Sequence, residues 1–200
     1  MQDDLTEQIR TLSTRLRDTD SFTETVAHWL NSRVDYISLC HEYCLVTPEH
    51  AAALDVSAGS KALYRRGYLE AESTVFRQRV ADVRAVVVED RLHPDARQSL
   101  ESKKVPLGRI LSGHGMRRHT HDITRVSTVD ANGRQVLRVA ATVTIAGELV
   151  AAVDEIVYLQ LFKPGPSQCD TTDDAPVIDR LPNARRPLES PISRRPAHRA

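Results

Sequence analysis

Apolar residues recur along this chain with two periods, and the switches between them mark its elements. Leu5, Ile9, Leu12 and Leu16 fall at spacings of four, three and four, which makes one stripe of an opening helix. Ser21-Phe22-Thr23-Glu24 has the form of a capping box and starts a second helix, with Phe22, Val26, Trp29 and Leu30 on its buried side. Val34 to Val46 reads as a strand. Thr47-Pro48 then opens a short helix, Thr as cap and Pro at the first helical position. The segments 62–71 and 82–88 are strand-like, His93-Pro94 leads a helix through about Ser102, and Pro106-Leu107-Gly108 begins a short turn or helix that stops at Ser112-Gly113.

The remainder predicts a three-stranded meander. One strand runs from about Asp122 to Val129, and Asn132-Gly133 makes a tight turn. The next runs over 135–145 with Leu137, Val139, Ala141, Val143 and Ile145 on one face. Ala146-Gly147 turns the chain into a last strand over 149–162. Six strands, mostly antiparallel, with helices grouped early, predict an α+β domain built on a single sheet flanked by helices.

Glu155 stands alone on the last strand. Alternation puts it on one face with Leu149, Ala151, Val153, Val157, Leu159 and Leu161. An unpaired buried carboxylate costs several kcal/mol, so an arginine, a proton or a polar ligand must answer it. A structural ion pair inside the core is one reading. A ligand-facing acid in an enclosed apolar pocket is the other, and the rest of the chain favours it.

Size and charge narrow the classes. Two hundred residues suffice for one domain with a real core. Lys+Arg and Asp+Glu both number 27, so no overall field recruits nucleic acid. No apolar run is long enough for a membrane span, and the acidic start is unlike a signal peptide, which points to the cytoplasm. Three cysteines, Cys40, Cys44 and Cys169, suit reduced thiols. On a continuous strand Cys40 and Cys44 lie about 13 Å apart, too far to share a zinc ion or a disulfide. Residues 163–200 hold 7 of the 10 prolines and are expected to be a disordered tail, in which Arg185-Arg186 and Arg194-Arg195 are solvated rather than docked on an acidic partner. The histidines of 113–121 are expected in a polar loop. Within it Arg117, Arg118 or a histidine is a secondary candidate for closing over a second carboxylate.

Four ordered blocks carry a resemblance. Tyr64-Arg65-Arg66-Gly67-Tyr68-Leu69, then 83–88, then Pro106-Leu107-Gly108-Arg109-Ile110-Leu111, then Asp154-Glu155 resemble the chorismate pyruvate-lyases that form 4-hydroxybenzoate. The actinobacterial and mycobacterial branch, where Asp90-Arg91-Leu92 also fits, is the nearer likeness. The similarity covers roughly residues 20–162, dividing the chain into an N-terminal helix (1–20), a lyase-like domain (21–162) and the tail. It implies a ligand enclosed beneath helical flaps, with pyruvate eliminated from chorismate and no metal or redox cofactor required. Arg66 matches the arginine gripping the ring carboxylate, Glu155 the group meeting the ring hydroxyl, and Leu107 a backbone contact. Phe22 stands where the family has a ligand-touching Met, and Arg84 matches a neighbouring arginine of less defined role. Strand parity alone lets either Arg65 or Arg66 point inward; the motif match favours Arg66.

The expected protein is thus a cytoplasmic lyase of aromatic-acid metabolism, monomeric or homodimeric, acting on chorismate or a related cyclohexadiene acid. The rival of a different class is a non-catalytic ligand-binding module, like the effector domains of bacterial regulators that resemble this fold. About 20 residues before the shared region are too few for a DNA-binding domain, which weighs against that rival. A lyase fold kept as a structural subunit is a third option.

Overall fold

Local signals set most of the helix starts. The Ser21 side chain accepts the Glu24 N–H and caps α2 (Phe22–Leu30), which follows α1 (Gln2–Arg17). Asn31 closes α2 in the left-handed conformation and leads into β1 (Val34–Leu45). Thr47 caps α3 (Pro48–Leu54) through the His50 N–H. Then come β2 (Lys61–Glu72), β3 (Arg77–Val87), α4 (Pro94–Glu101), α5 (Leu107–Ser112), β4 (Met116–Arg125), β5 (Val129–Asp130), β6 (Gly133–Ile145) and β7 (Glu148–Tyr158). The computed structural model describes residues 2–72 and 77–162. The tail expected over 163–200, Cys169 and the two arginine pairs lie outside the described residues.

The strands form one sheet in the order β1-β2-β3-β7-β6-β4, every neighbouring pair antiparallel, with β5 paired only to β6. This is the expected α+β architecture with seven strands rather than six. The seventh is the two-residue β5. The Asp130 carboxylate accepts the N–H groups of Asn132 and Gly133, folding the turn that brings β5 against β6.

The larger departure is β4, which begins at Met116, inside the segment expected to be a loop. Its alternation is masked because the register shifts between Thr120 and Asp122, a bulge at His121 that breaks the period of two. The last strand is also shorter than expected, since 159–162 turn into a 3-10 helix.

One face of the sheet is the inner one. Along it lie Leu63, Arg65, Gly67 and Leu69 of β2, Val83 and Ala85 of β3, Val153, Glu155 and Val157 of β7, and Val139, Ala141 and Val143 of β6. Two apolar clusters cover this face. Near one end α1 and α2 contribute Ile9, Leu12, Leu16, Phe22 and Val26 against Leu69, Leu137 and Val157. Near the other, α4 and α5 contribute Ala96, Leu100, Ile110 and Leu111 against Leu63, Ala85 and Val143. Fully buried leucines such as Leu12, Leu16 and Leu111 each contribute about 1.5–3 kcal/mol. The opposite, outer face is covered only in part, by α3 packing on Ala62, Val86 and Ala152.

Candidate ligand-binding site

Between the two inner clusters lies a cavity of about 60 Å³, edged by Phe22 and Thr23 of α2, Leu107 and Gly108 of α5, and the sheet residues Arg65, Val83, Val153 and Glu155. Its chemistry is concentrated in two buried arginines and one buried glutamate.

Glu155 is answered by an arginine. Arg118, 8% exposed, places Nη2 2.5 Å from Glu155 Oε2 and closes a fully buried ion pair. Burial pushes the Glu155 carboxyl up to about 7, against the pull of the Arg118 charge and hydrogen bond. Arg118 is itself held from several sides. Its Nη1 donates to Leu16 O at the end of α1 and to Thr120 Oγ1, and its backbone N–H donates to Asp20 Oδ1. Arg117 donates to the other Asp20 oxygen. The α1–α2 connection is thereby tied to the floor of the cavity.

Arg65 has no such answer. It is 3% exposed, donates to Val105 O at 2.9 Å, and leaves its buried Nε without a hydrogen-bond partner among the described residues. The Tyr36 ring, its centroid 5.5 Å from the guanidinium, offers a π-face but no charge. Burial pushes the Arg65 pKa down, opposed by Tyr36 and by no carboxylate among the described residues. Both carboxylates at the cavity, Asp20 and Glu155, are engaged by Arg117 and Arg118.

Gly67 makes the Tyr36 contact feasible. A Cβ there would fall 2.4 Å from Tyr36 Cε2 and 2.4 Å from Ile37 O, so only glycine admits the ring at this position.

The expected site residues are brought together only in part. Phe22, Leu107 and Glu155 line the cavity. Arg66 does not. It pairs with Cys40 and Arg84 in register, one residue out of phase with Arg65, so its side chain belongs to the outer face. Arg65 stands where the motif match put Arg66, because from Leu63 onward the buried residues of β2 are Leu63, Arg65, Gly67, Leu69 and Ala71, a pattern visible only once the inner face is known. Arg84 borders the cavity through its strand, but its Nη1 lies 4.0 Å from Asp154 on the outer side. Arg118 was masked by the bulge of β4. Asp20 and Tyr36 carried no signal in the sequence, since each depends on contacts across the sheet. Cys40 and Cys44 are free thiols, half-buried on β1.

This is the α+β chorismate lyase-like architecture, with a site in which Arg65 has no acidic partner among the described residues. No family model and no curated protein sequence matches this chain. Among solved structures, the fold is similar to the effector domain of PhnF from Mycobacterium smegmatis, 14% identical over 70% of this chain and 89% of that one, at a TM-score of 0.54. Whole PhnF from the same organism gives the same identity and TM-score, this chain spanning 64% of its length. A GntR-family transcriptional regulator from Bacillus cereus is 12% identical over 74% of this chain and all of that one, at a TM-score of 0.48.

These findings correct the expectation of an enzyme. The structures this chain resembles at a TM-score of 0.54 are PhnF and its effector domain, so the reading as a chorismate pyruvate-lyase making 4-hydroxybenzoate in aromatic-acid metabolism is withdrawn. The site agrees with the correction. Glu155 is occupied by Arg118 rather than open to a ring hydroxyl, and Arg66 faces the wrong side. A volume of about 60 Å³ holds on the order of four or five waters, far short of a cyclohexadiene with two carboxylates. No helix among the described residues is long and apolar enough to cross a membrane.

Proposed function

We propose that this chain is a non-catalytic effector-binding module whose inner cavity takes a small organic anion, the carboxylate or phosphate of which is held by Arg65. The observation that carries this reading is the buried guanidinium with no acidic partner among the described residues. A desolvated cation of this kind is stabilised by an anion that brings two acceptor oxygens, and the planar fork of arginine suits them. Phe22 and Leu107 supply the apolar walls, and the Arg118–Glu155 pair presents a polar edge for a ligand hydroxyl. The effector-domain fold supports binding without turnover, the ligand's occupancy being passed to a partner domain.

The test is a thermal-shift screen of the protein against small carboxylates and phosphates, repeated with Arg65→Gln. A subset of these anions is expected to raise the melting temperature of the wild type and to leave Arg65→Gln unmoved. Equal shifts in both proteins would remove Arg65 from the site. Incubation with chorismate is expected to release no pyruvate above the spontaneous background.

A further inference from the structure

Arg66, which the inner cavity leaves out, and Arg84, which borders it only through its strand, meet on the other side of the sheet. They are directly opposite one another across β2 and β3. Like charges placed so are mutually destabilising. The Nε atoms of both are buried and have no hydrogen-bond partner among the described residues. The carboxylate beside Arg84, Asp154, is already engaged by Arg138, whose Nε lies 2.7 Å from Oδ1 and Nη2 3.4 Å from Oδ2; Arg84 reaches it only at 4.0 Å. Arg84 and Arg138 thus share Asp154, and only Arg138 bonds it closely.

Next to this cluster the outer face is hollow. A trench of about 320 Å³ runs between α3 and the Arg84–Asp154–Arg138 group, with Ala140 and Ala152 in its floor and Tyr64 and His121 among its edges. Central strands ordinarily favour β-branched or aromatic side chains on such a face. Alanines on β6 and β7 leave room there for another body. The acid across the trench is Glu49 in the first turn of α3, and the His121 ring, 2.7 Å from Thr142 Oγ1, closes one end. The volume is within the range of small-molecule sites, unlike that of the inner cavity.

We propose that this trench is a second ligand site, for a flat organic carboxylate. The carboxylate lies against Arg84, and the apolar body rests on Ala140 and Ala152 beneath α3. The sheet lies between this site and the Arg65 guanidinium, and the strand residues Arg84, Ala85 and Val153 border both spaces.

The probe is 2-naphthoate, followed by chemical shifts of backbone amides in the full chain. Saturable shifts are expected at Ala140, Ala152 and Arg84, with binding weakened at least about tenfold in Arg84→Gln, where the charge goes but the shape is nearly kept. Ala140→Leu fills the floor and is expected to weaken 2-naphthoate by a similar factor. Acetate, an anion without the flat body, and 2-naphthalenemethanol, the body without the charge, are each expected to bind at least about tenfold more weakly. Arg65→Gln is expected to leave 2-naphthoate binding unchanged. Shifts confined to the inner cavity, or unweakened binding in Arg84→Gln, would overturn the proposal. So would sedimentation showing a dimer that Arg84→Gln dissociates, because the trench would then be covered by a second copy.

Discussion

Glu155 illustrates how far a single residue can be read. Its isolation among apolar neighbours announced that something must meet it, and Arg118 does so at 2.5 Å. The partner itself was not legible, because a bulge at His121 hides the alternation that would have aimed Arg118 inward. The choice between Arg65 and Arg66 was open for a related reason. Adjacent arginines on a strand always face opposite ways, and only the packed face decides which is inside. The pair now carries a pH signature. An unfolded Glu loses its proton near 4.5, whereas burial raises the folded value to about 7, so between these limits the native state holds a proton that the unfolded chain has released. Stability from this group is full below the unfolded value and is lost as pH rises through the folded one. The difference in unfolding free energy between wild type and Glu155→Gln, measured by urea denaturation from about pH 5 to about pH 8, is expected to change by up to about 3 kcal/mol. A constant difference across that window would show that Glu155 does not titrate there. Gly67→Ala is a steric test of the same site. The added methyl meets Tyr36 and the Ile37 carbonyl, and a cost of about 1–3 kcal/mol is expected, with loss of the near-ultraviolet circular dichroism from Tyr36. A variant as stable as the wild type, with that signal intact, would refute the close approach.

At the scale of elements, helices announced by caps were the most legible. Ser21, Thr47 and His93-Pro94 each stand at the start of the helix they predict, since a cap acts within three residues and needs no tertiary partner. Strands carrying a continuous apolar face, such as β6 with Leu137, Val139, Ala141 and Val143, were legible for the same local reason. The polar strand β4 was not: its inward side chains Arg118 and Thr120 are paid for by partners on α1 and β7, far away in sequence. The cap of α2 has a consequence beyond its own helix, because Phe22 and Thr23 follow it directly into the cavity wall. Ser21→Ala is expected to cost about 1 kcal/mol and Ser21→Asn much less, by urea denaturation. If alanine and asparagine lose the same amount, the Glu24 N–H is satisfied some other way and the cap assignment fails.

At the scale of the whole molecule, the fold class was legible and the function was not. A sheet with one helical layer follows from the order of periodic segments, yet the same scaffold serves catalysis in one protein and ligand sensing in another. What separates them is the site: a free carboxylate in a cavity with room for the ring would have kept the lyase reading, and an occupied carboxylate with a small cavity removes it. The limits of the folding unit are argued in the same way. The resemblance covers the chain only from about residue 20, but α1 buries Leu12 and Leu16 completely in the core shared with Leu137 and Val157, and the Leu16 carbonyl receives both Arg118 and Thr120. Leu12→Ala is therefore expected to cost about 2–5 kcal/mol, as a large-to-small change deep in a core does. A chain beginning at Asp20 would expose that apolar surface and leave Arg118 short of an acceptor beside the cavity. It is expected to lose cooperative thermal unfolding and all response to the anions that stabilise the full chain. A shortened protein that still unfolds cooperatively, and still binds through Arg65, would show that α1 is an appendage rather than part of the unit that builds the site.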